Sequence, residues 1–228
     1  MIGIDLTKNM RRILGAILAA ALLFPAFSCG KDSPSSAENE NTTTEDNSGK
    51  EGEGKEDKDA TPSGEGTLVV YYSYTGNCKA IVDVIMDEIE ADLLEIRPAE
   101  EGLKYEADNY KIGSELISKI RSKPGDSSSY PKIKTVDKDV KEYASVIIVT
   151  PLWWSNMAAI MQSYLFSSGA DMAGKKIGLI VSSSSSGISG VTKDAKRLIP
   201  EGDFVKGSLW IKDSNRSKKA QLIKEWLQ

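Results

Sequence analysis

Histidine is missing from this chain altogether. The commonest general base and the commonest metal ligand go with it. Zinc hydrolases and Ser/His or Cys/His nucleophile systems are not expected, so neither a metal site nor a catalytic side chain is anticipated. Cysteine is scarce. Cys29 and Cys78 are the only two, they lie in segments of different character, and no disulfide framework is implied. A surplus of positive charge is also lacking: 29 Lys and Arg stand against 33 Asp and Glu, for a net charge of -4. That balance offers no basic surface for nucleic acid. The one long apolar run, residues 13–27, is shorter than the ~20 residues a membrane-crossing helix needs. What 228 residues do provide is room for one α/β domain plus extensions.

The first extension reads as an address. Lys8, Arg11 and Arg12 precede the apolar run, which ends in Ala26-Phe27-Ser28-Cys29. A basic head, a short apolar stretch and small residues before a cut describe a secretory signal peptide over residues 1–28. Its end resembles the lipobox of bacterial lipoproteins, with Ala26 where Leu is commoner. The resemblance implies lipidation at Cys29 and an exported protein held on a membrane by its acyl chains, at a periplasmic or cell-surface face. Residues 30–66 follow with eleven Asp and Glu, four Lys and almost nothing apolar. Such a segment cannot bury enough surface to offset its ordering entropy and is expected to be a disordered acidic linker.

From Thr67 onward, near-neutral in charge, apolar runs alternate with helical periodicity. Strands are expected at 67–73, 92–97, 145–150, 176–181 and 204–211. Helices are expected at 79–89, 106–121, 156–166, 192–199 and 218–227, with Gly113 weakening the second. Residues 122–134, with Pro, Gly and Ser, read as a loop. Strands alternating with helices predict an α/β domain over 67–228, with a parallel sheet and helices on both faces.

In such sheets ligands bind beyond the carboxyl ends of the strands, where the strand order reverses. Three loops there carry unusual chemistry. Ser73-Tyr74-Thr75-Gly76-Asn77-Cys78 offers hydroxyls, a glycine turn and the unpaired amides of a following helix, a set suited to a phosphate. An ordinary capped turn would look similar. Pro151-Leu152-Trp153-Trp154 places two indoles at a strand end. One can offer a flat face to an aromatic ring, or both can pack, one in the core and one over a helix. Ser182-Ser183-Ser184-Ser185-Ser186-Gly187 is hydroxyl-rich and small, and reads as a binding loop rather than a linker.

These residues resemble the flavodoxin family across Thr67 to Gln228. YYSYTGNCKAI resembles its phosphate loop, TPLWWSNMAAIM the segment that borders the flavin, and SSSSSGISGVTKDAKRLIP its third loop. The resemblance implies a three-layer sandwich with a five-stranded parallel sheet in the order 2-1-3-4-5 and an FMN cofactor. By position, residues 73–78 would hold the phosphate, 151–154 would border the isoalloxazine and 182–187 would close its other edge. Two departures stand out. Cys78 replaces a Thr and is a poorer donor, either reactive through a lowered pKa at the helix start or simply a tolerated small residue. Ser184 and Ser185 replace glycines, and their Cβ atoms would interfere if positive φ were required there.

A flavin would supply redox chemistry that a chain without histidine does not need to catalyse itself. The expected role is electron transfer with a redox protein partner. The alternatives are NAD(P)H-dependent reduction of a small quinone-like acceptor, and a cofactor-free binding module on the same fold. Because the three loops carry no positive charge, a low reduction potential is also expected.

Overall fold

Five short runs dominated by β-branched and other apolar residues build one parallel sheet. In this computed structural model, which describes residues 64–228, they are β1 (Thr67–Tyr71), β2 (Asp92–Glu95), β3 (Ser145–Trp153), β5 (Lys176–Ser183) and β6 (Leu209–Lys212). A two-residue strand, β4 (Asn156–Met157), pairs antiparallel with the end of β3. The expected signal peptide, the lipidation site and nearly all of the expected linker lie outside the described residues. The linker's last residues do not hang free: the Glu65 amide donates to the Glu142 carbonyl at 3.2 Å.

The sheet order is β2-β1-β3-β5-β6. With the small β4 set aside, this is the 2-1-3-4-5 order expected from the sequence. The chain moves outward from β1 to β2 and then crosses to the other side of β1 to form β3. The switch point therefore lies between β1 and β3, where a crevice opens beyond the strand ends. β3 is the spine, paired with β1 over five positions and with β5 over seven.

Successive strand residues point to opposite faces, so each face builds its own core. Leu68, Val70, Val146, Ile148, Leu179 and Val181 face the side covered by α2 (Lys111–Ser122), α3 (Ala159–Ser168) and α4 (Ser189–Leu198). Val69, Tyr71, Ile147, Val149 and Ile180 face the side covered by α1 (Asn77–Glu88) and α5 (Lys219–Leu227). Seven consecutive residues of α3, Ala159 to Leu165, are buried, which explains why that helix is apolar all round. Among the described residues no helix is long and apolar enough to cross a membrane.

Several boundaries differ from the sequence expectation, among them β3, which runs on to Trp153, and α4, which begins at Ser189; three others have a plain local cause. The helix expected from Glu106 starts at Lys111, because Asp108, Asn109 and Tyr110 adopt left-handed φ values of 49°, 56° and 61°. The helix expected from Asn156 starts at Ala159, because Asn156 and Met157 turn back to pair with Trp153 and Leu152. The strand expected over 204–211 is confined to Leu209–Lys212. Pairing upstream of it consists of a single bridge from Asp203 to Lys176.

Candidate functional site

At the switch point lies a cleft of about 650 Å³, within the range of small-molecule sites. The three loops singled out in the sequence converge on it.

The first loop joins β1 to α1. Gly76 sits at the helix start with φ 84° and ψ -12°. A Cβ there would meet open space, so the glycine is needed for its backbone conformation rather than for room. The first amides of a helix have no partner in their own helix. The Lys79 amide is taken by Ser73 Oγ at 3.2 Å, and Asn77 Nδ2 donates to Thr75 Oγ1 at 3.0 Å. These bonds shape the loop while Ser73, Tyr74, Thr75, Asn77 and Cys78 line the cleft. α1 carries no acidic residue in its first turn, so its positive dipole end is not neutralised there. Cys78 is only 1% exposed, and burial pushes its thiol pKa up, not down. A thiol so buried does not suit the reactive alternative: Cys78 packs with Ile81, Val82 and Ile85 as a small apolar residue.

The second loop is a tight hairpin between β3 and β4. Trp154 and Ser155 occupy its two central positions with φ of 46° and 63°. Positive φ at both is the pattern of a two-residue type I′ turn, which favours Asn-Gly. Trp and Ser there are strained, and neighbours hold them. Arg121 Nε donates to Asn156 Oδ1 at 2.7 Å and its guanidinium donates to the Trp154 carbonyl. Asn156 Nδ2 and the Met157 amide both donate to Asp194 Oδ2, at 2.9 and 3.0 Å. Arg197 ties Asp194 to Gln162, which in turn donates to the Met157 carbonyl. Gly190 allows the close approach: a Cβ there would fall 1.8 Å from the Ser155 carbonyl oxygen.

The hairpin gives the two indoles different surroundings on one cleft. Trp153 packs against Tyr72 and Tyr105, with ring centroids 5.7 and 4.8 Å away. Trp154 is 40% exposed and lies over Gly113 of α2. Both line the cleft, as do Pro151 and Leu152.

The third loop follows β5. Ser182, Ser183, Ser184 and Ser186 line the cleft. Ser185 and Gly187 are exposed and, like Gly76, do not line it. Ser183 Oγ accepts from Trp210 Nε1 at 2.8 Å and donates to the Ser186 carbonyl at 3.1 Å, so this hydroxyl braces the loop. Neither Ser184 nor Ser185 has positive φ, which removes the conformational objection to serine at those positions.

Four lining residues escaped the sequence reading: Tyr105, Tyr110, Gly113 and Arg216. Tyr105 and Tyr110 come from the β2–α2 connection. The Tyr105 amide donates to Tyr74 OH at 3.1 Å, and that hydroxyl in turn donates to Glu106. This bond to Glu106 raises the Tyr74 pKa and lowers that of Glu106. Gly113 left a trace, since an isolated glycine in a helical pattern points to a packing need. Arg216 left none. The three loops carry no positive charge, as read, but Arg216 brings one from the β6–α5 connection and is the one charged side chain among the described lining residues.

Fold and cleft together define a doubly wound α/β protein whose ligand site combines a helix N-terminus with aromatic walls. The chain belongs to the flavodoxin family, whose sequence profile matches residues 66–228. No curated protein matches the chain in sequence. Among solved structures, a protein from Bacteroides uniformis assigned as a flavoprotein is 25% identical, with a TM-score of 0.58, covering 72% of this chain and 98% of its own. A counterpart from Bacteroides eggerthii is 21% identical, with a TM-score of 0.56 over 72% of this chain and 98% of its own. A flavoprotein from Lactobacillus acidophilus, crystallised in complex with FMN, is 20% identical, with a TM-score of 0.54 over 72% and 99%. At the last two identities the likeness is one of fold.

Proposed function

We propose that this protein binds FMN in the cleft beyond β1, β3 and β5 and transfers electrons through it. The observation that carries the reading is the cleft's division of labour. Ser73, Tyr74, Thr75, Asn77 and Cys78, with their amides and hydroxyls at a helix start, lie along it together with Trp153 and Trp154. Those donors fit a phosphate, and the indoles fit a flat aromatic ring. Family membership and the FMN complex of the Lactobacillus acidophilus neighbour support the same assignment.

In this reading residues 73–78 hold the phosphate and Trp153 and Trp154 border the ring. Serines 182, 184 and 186 approach its opposite edge. When bound, the flavin supplies the one- or two-electron chemistry. The protein's own contribution is to orient the cofactor and shield it from water. Among the described residues neither Asp nor Glu lines the cleft; Glu106 and Asp213 reach it only through Tyr74 and Arg216. Exposed Trp154, Tyr74 and Tyr110 surround the mouth, where a redox protein partner can approach.

Purification of the full chain in detergent tests the cofactor. A yellow protein with a flavin absorption spectrum, or one that acquires it with added FMN, is expected. A colourless protein that ignores added FMN refutes the reading and favours a cofactor-free module. Rapid NAD(P)H oxidation with a quinone, and no exchange with a protein carrier, would replace the shuttle by a reductase.

Export and anchoring through lipidated Cys29 belong to the same proposal and rest on Lys8, Arg11, Arg12, the apolar run and the residues before the cut. The Cys29→Ser chain should lose label from a radioactive fatty acid. Equal labelling of both chains would overturn this assignment.

A further inference from the structure

Arg216 has no counterpart in the phosphate-binding set carried by residues 73–78. It lies on the 3-10 segment Asp213–Lys218 that leads into α5. That segment is fixed in place. The Lys212 amide donates to Asn215 Oδ1 at 2.8 Å, Asn215 Nδ2 donates to the Trp210 carbonyl at 3.2 Å, and the Asp213 amide donates to the Ser184 carbonyl at 3.1 Å. α5 shares a sheet face with α1, whereas α2, which carries Trp154 on Gly113, covers the other. Arg216 therefore joins the cleft's lining from the connection to α5, the helix that shares its sheet face with α1.

Resting on the FMN reading, we infer that Arg216 is the cationic ligand of the cofactor's phosphate and sets the preference for FMN over riboflavin. Three observations converge on this. The cleft holds one charged side chain, and it is a guanidinium, the group whose planar fork matches phosphate oxygens. Its partner in the structure is the Asp213 carboxylate, in an exposed pair with side chains 40% and 53% accessible. Such a pair is weakly held, so a phosphate carrying close to two charges competes for the guanidinium at small cost. Finally, the position where a hydroxyl would add a donor is held by Cys78, a buried thiol and a weak donor. Arg216 supplies from the β6–α5 connection what the α1 start lacks.

The test is flavin fluorescence titration of the full chain with FMN and, separately, riboflavin, for wild type, Arg216→Gln and Arg216→Lys. Loss of a charge-assisted contact should weaken FMN binding about 10- to 100-fold in Arg216→Gln and leave riboflavin within about 2-fold. Arg216→Lys should fall between. Added salt should weaken FMN binding to wild type more than to Arg216→Gln, because screening acts on the lost charge. Equal weakening of both flavins would place Arg216 at the ring or in the fold, and unchanged binding of both would make it a bystander; either overturns the inference. Should wild type bind neither flavin, the FMN reading itself fails.

Discussion

Replacing Gly113 by alanine probes the aromatic wall through a helix that never touches a phosphate. Gly113 is the third residue of α2, and an added Cβ would lie 2.8 Å from Cζ3 and 2.9 Å from Cη2 of Trp154. Contacts that short force the indole to move, and its 40% exposure leaves it an outward path. Two effects then oppose each other in stability. Alanine gains up to about 1 kcal/mol of helix propensity over glycine. Displacing Trp154 from its edge-on packing with Trp153, centroids 6.4 Å apart, gives back about 0.5–1.5 kcal/mol. Urea unfolding of the flavin-free protein should therefore shift by less than about 1 kcal/mol in either direction. FMN binding has no such compensation. If Trp154 borders the ring, the same 0.5–1.5 kcal/mol disappears from affinity, about 2- to 13-fold in Kd. A double-mutant cycle isolates the cause. On a Trp154→Ala background, Gly113→Ala should leave Kd unchanged and show its full helix-propensity gain. If the alanine weakens binding equally in both backgrounds, or leaves wild-type affinity untouched, Trp154 is not a wall of the flavin site.

The strained hairpin gives a contrasting pair. Ser155→Gly relieves a left-handed side chain and should stabilise the flavin-free protein by up to about 1 kcal/mol, read as a rise in Tm. A fall in Tm would show that the turn is not strained. Gly190→Ala drives a Cβ to 1.8 Å from the Ser155 carbonyl oxygen and should lower both Tm and FMN affinity, more than Gly113→Ala does. Retained wild-type values for both would refute the close docking of α4. Alkaline pH supplies a third case. Burial holds the ionisation of Cys78, Tyr72 and Tyr164 above the ordinary thiol and phenol ranges. Their contribution is complete below those ranges and is lost as pH rises, because the unfolded chain releases protons that the folded one retains. Stability should begin to fall near pH 9 at about 1.4 kcal/mol per unit for the first group, and Cys78→Ser should move that onset toward pH 10. An onset unchanged by the substitution would mean that the thiol is not the first group to ionise.

The central strands β1, β3 and β5 were legible because they are buried on both faces. Runs such as TLVVY and SVIIVT have no polar alternation to confuse with a helix of similar length, and Pro, Gly and Ser punctuate their ends. Boundaries slipped where a local backbone choice overrode pattern. Glu106 and Ala107 extend the helical pattern, but left-handed φ at Asp108, Asn109 and Tyr110 breaks it, and the adjacent Asp and Asn, which favour that conformation, were the sign of it. Phe204 to Ser208 is apolar enough for a strand, but it lies outside the β5 pairing, which begins at Leu209. Of the site, the loops after β1, β3 and β5 were readable because topology fixes where such loops converge. Arg216 was not, since it follows the edge strand β6 in a stretch of Ser, Asn and Lys that resembles any solvated turn.

The same contrast explains where strain is tolerated. Trp154 and Ser155 occupy positions that a relaxed turn would give to Asn and Gly, and they remain there because Arg121 and Asp194 bind Trp154, Asn156 and Met157 of the hairpin, with Arg197 bracing Asp194. Asp194 is 7% exposed and accepts from Asn156, Met157 and Arg197, so its charge is matched by donors on two elements, β4 and its own helix α4. Removing it leaves the buried Met157 amide and the part-buried Asn156 side chain without that acceptor, a penalty of about 1–3 kcal/mol. Asp194→Asn nearly preserves shape and one acceptor oxygen while deleting the charge. It should therefore lower stability by about 1–3 kcal/mol and weaken FMN binding, although the residue does not line the cleft. A loss of stability with FMN affinity intact would show that the hairpin holds its geometry alone, and that the buried network serves the fold but not the site.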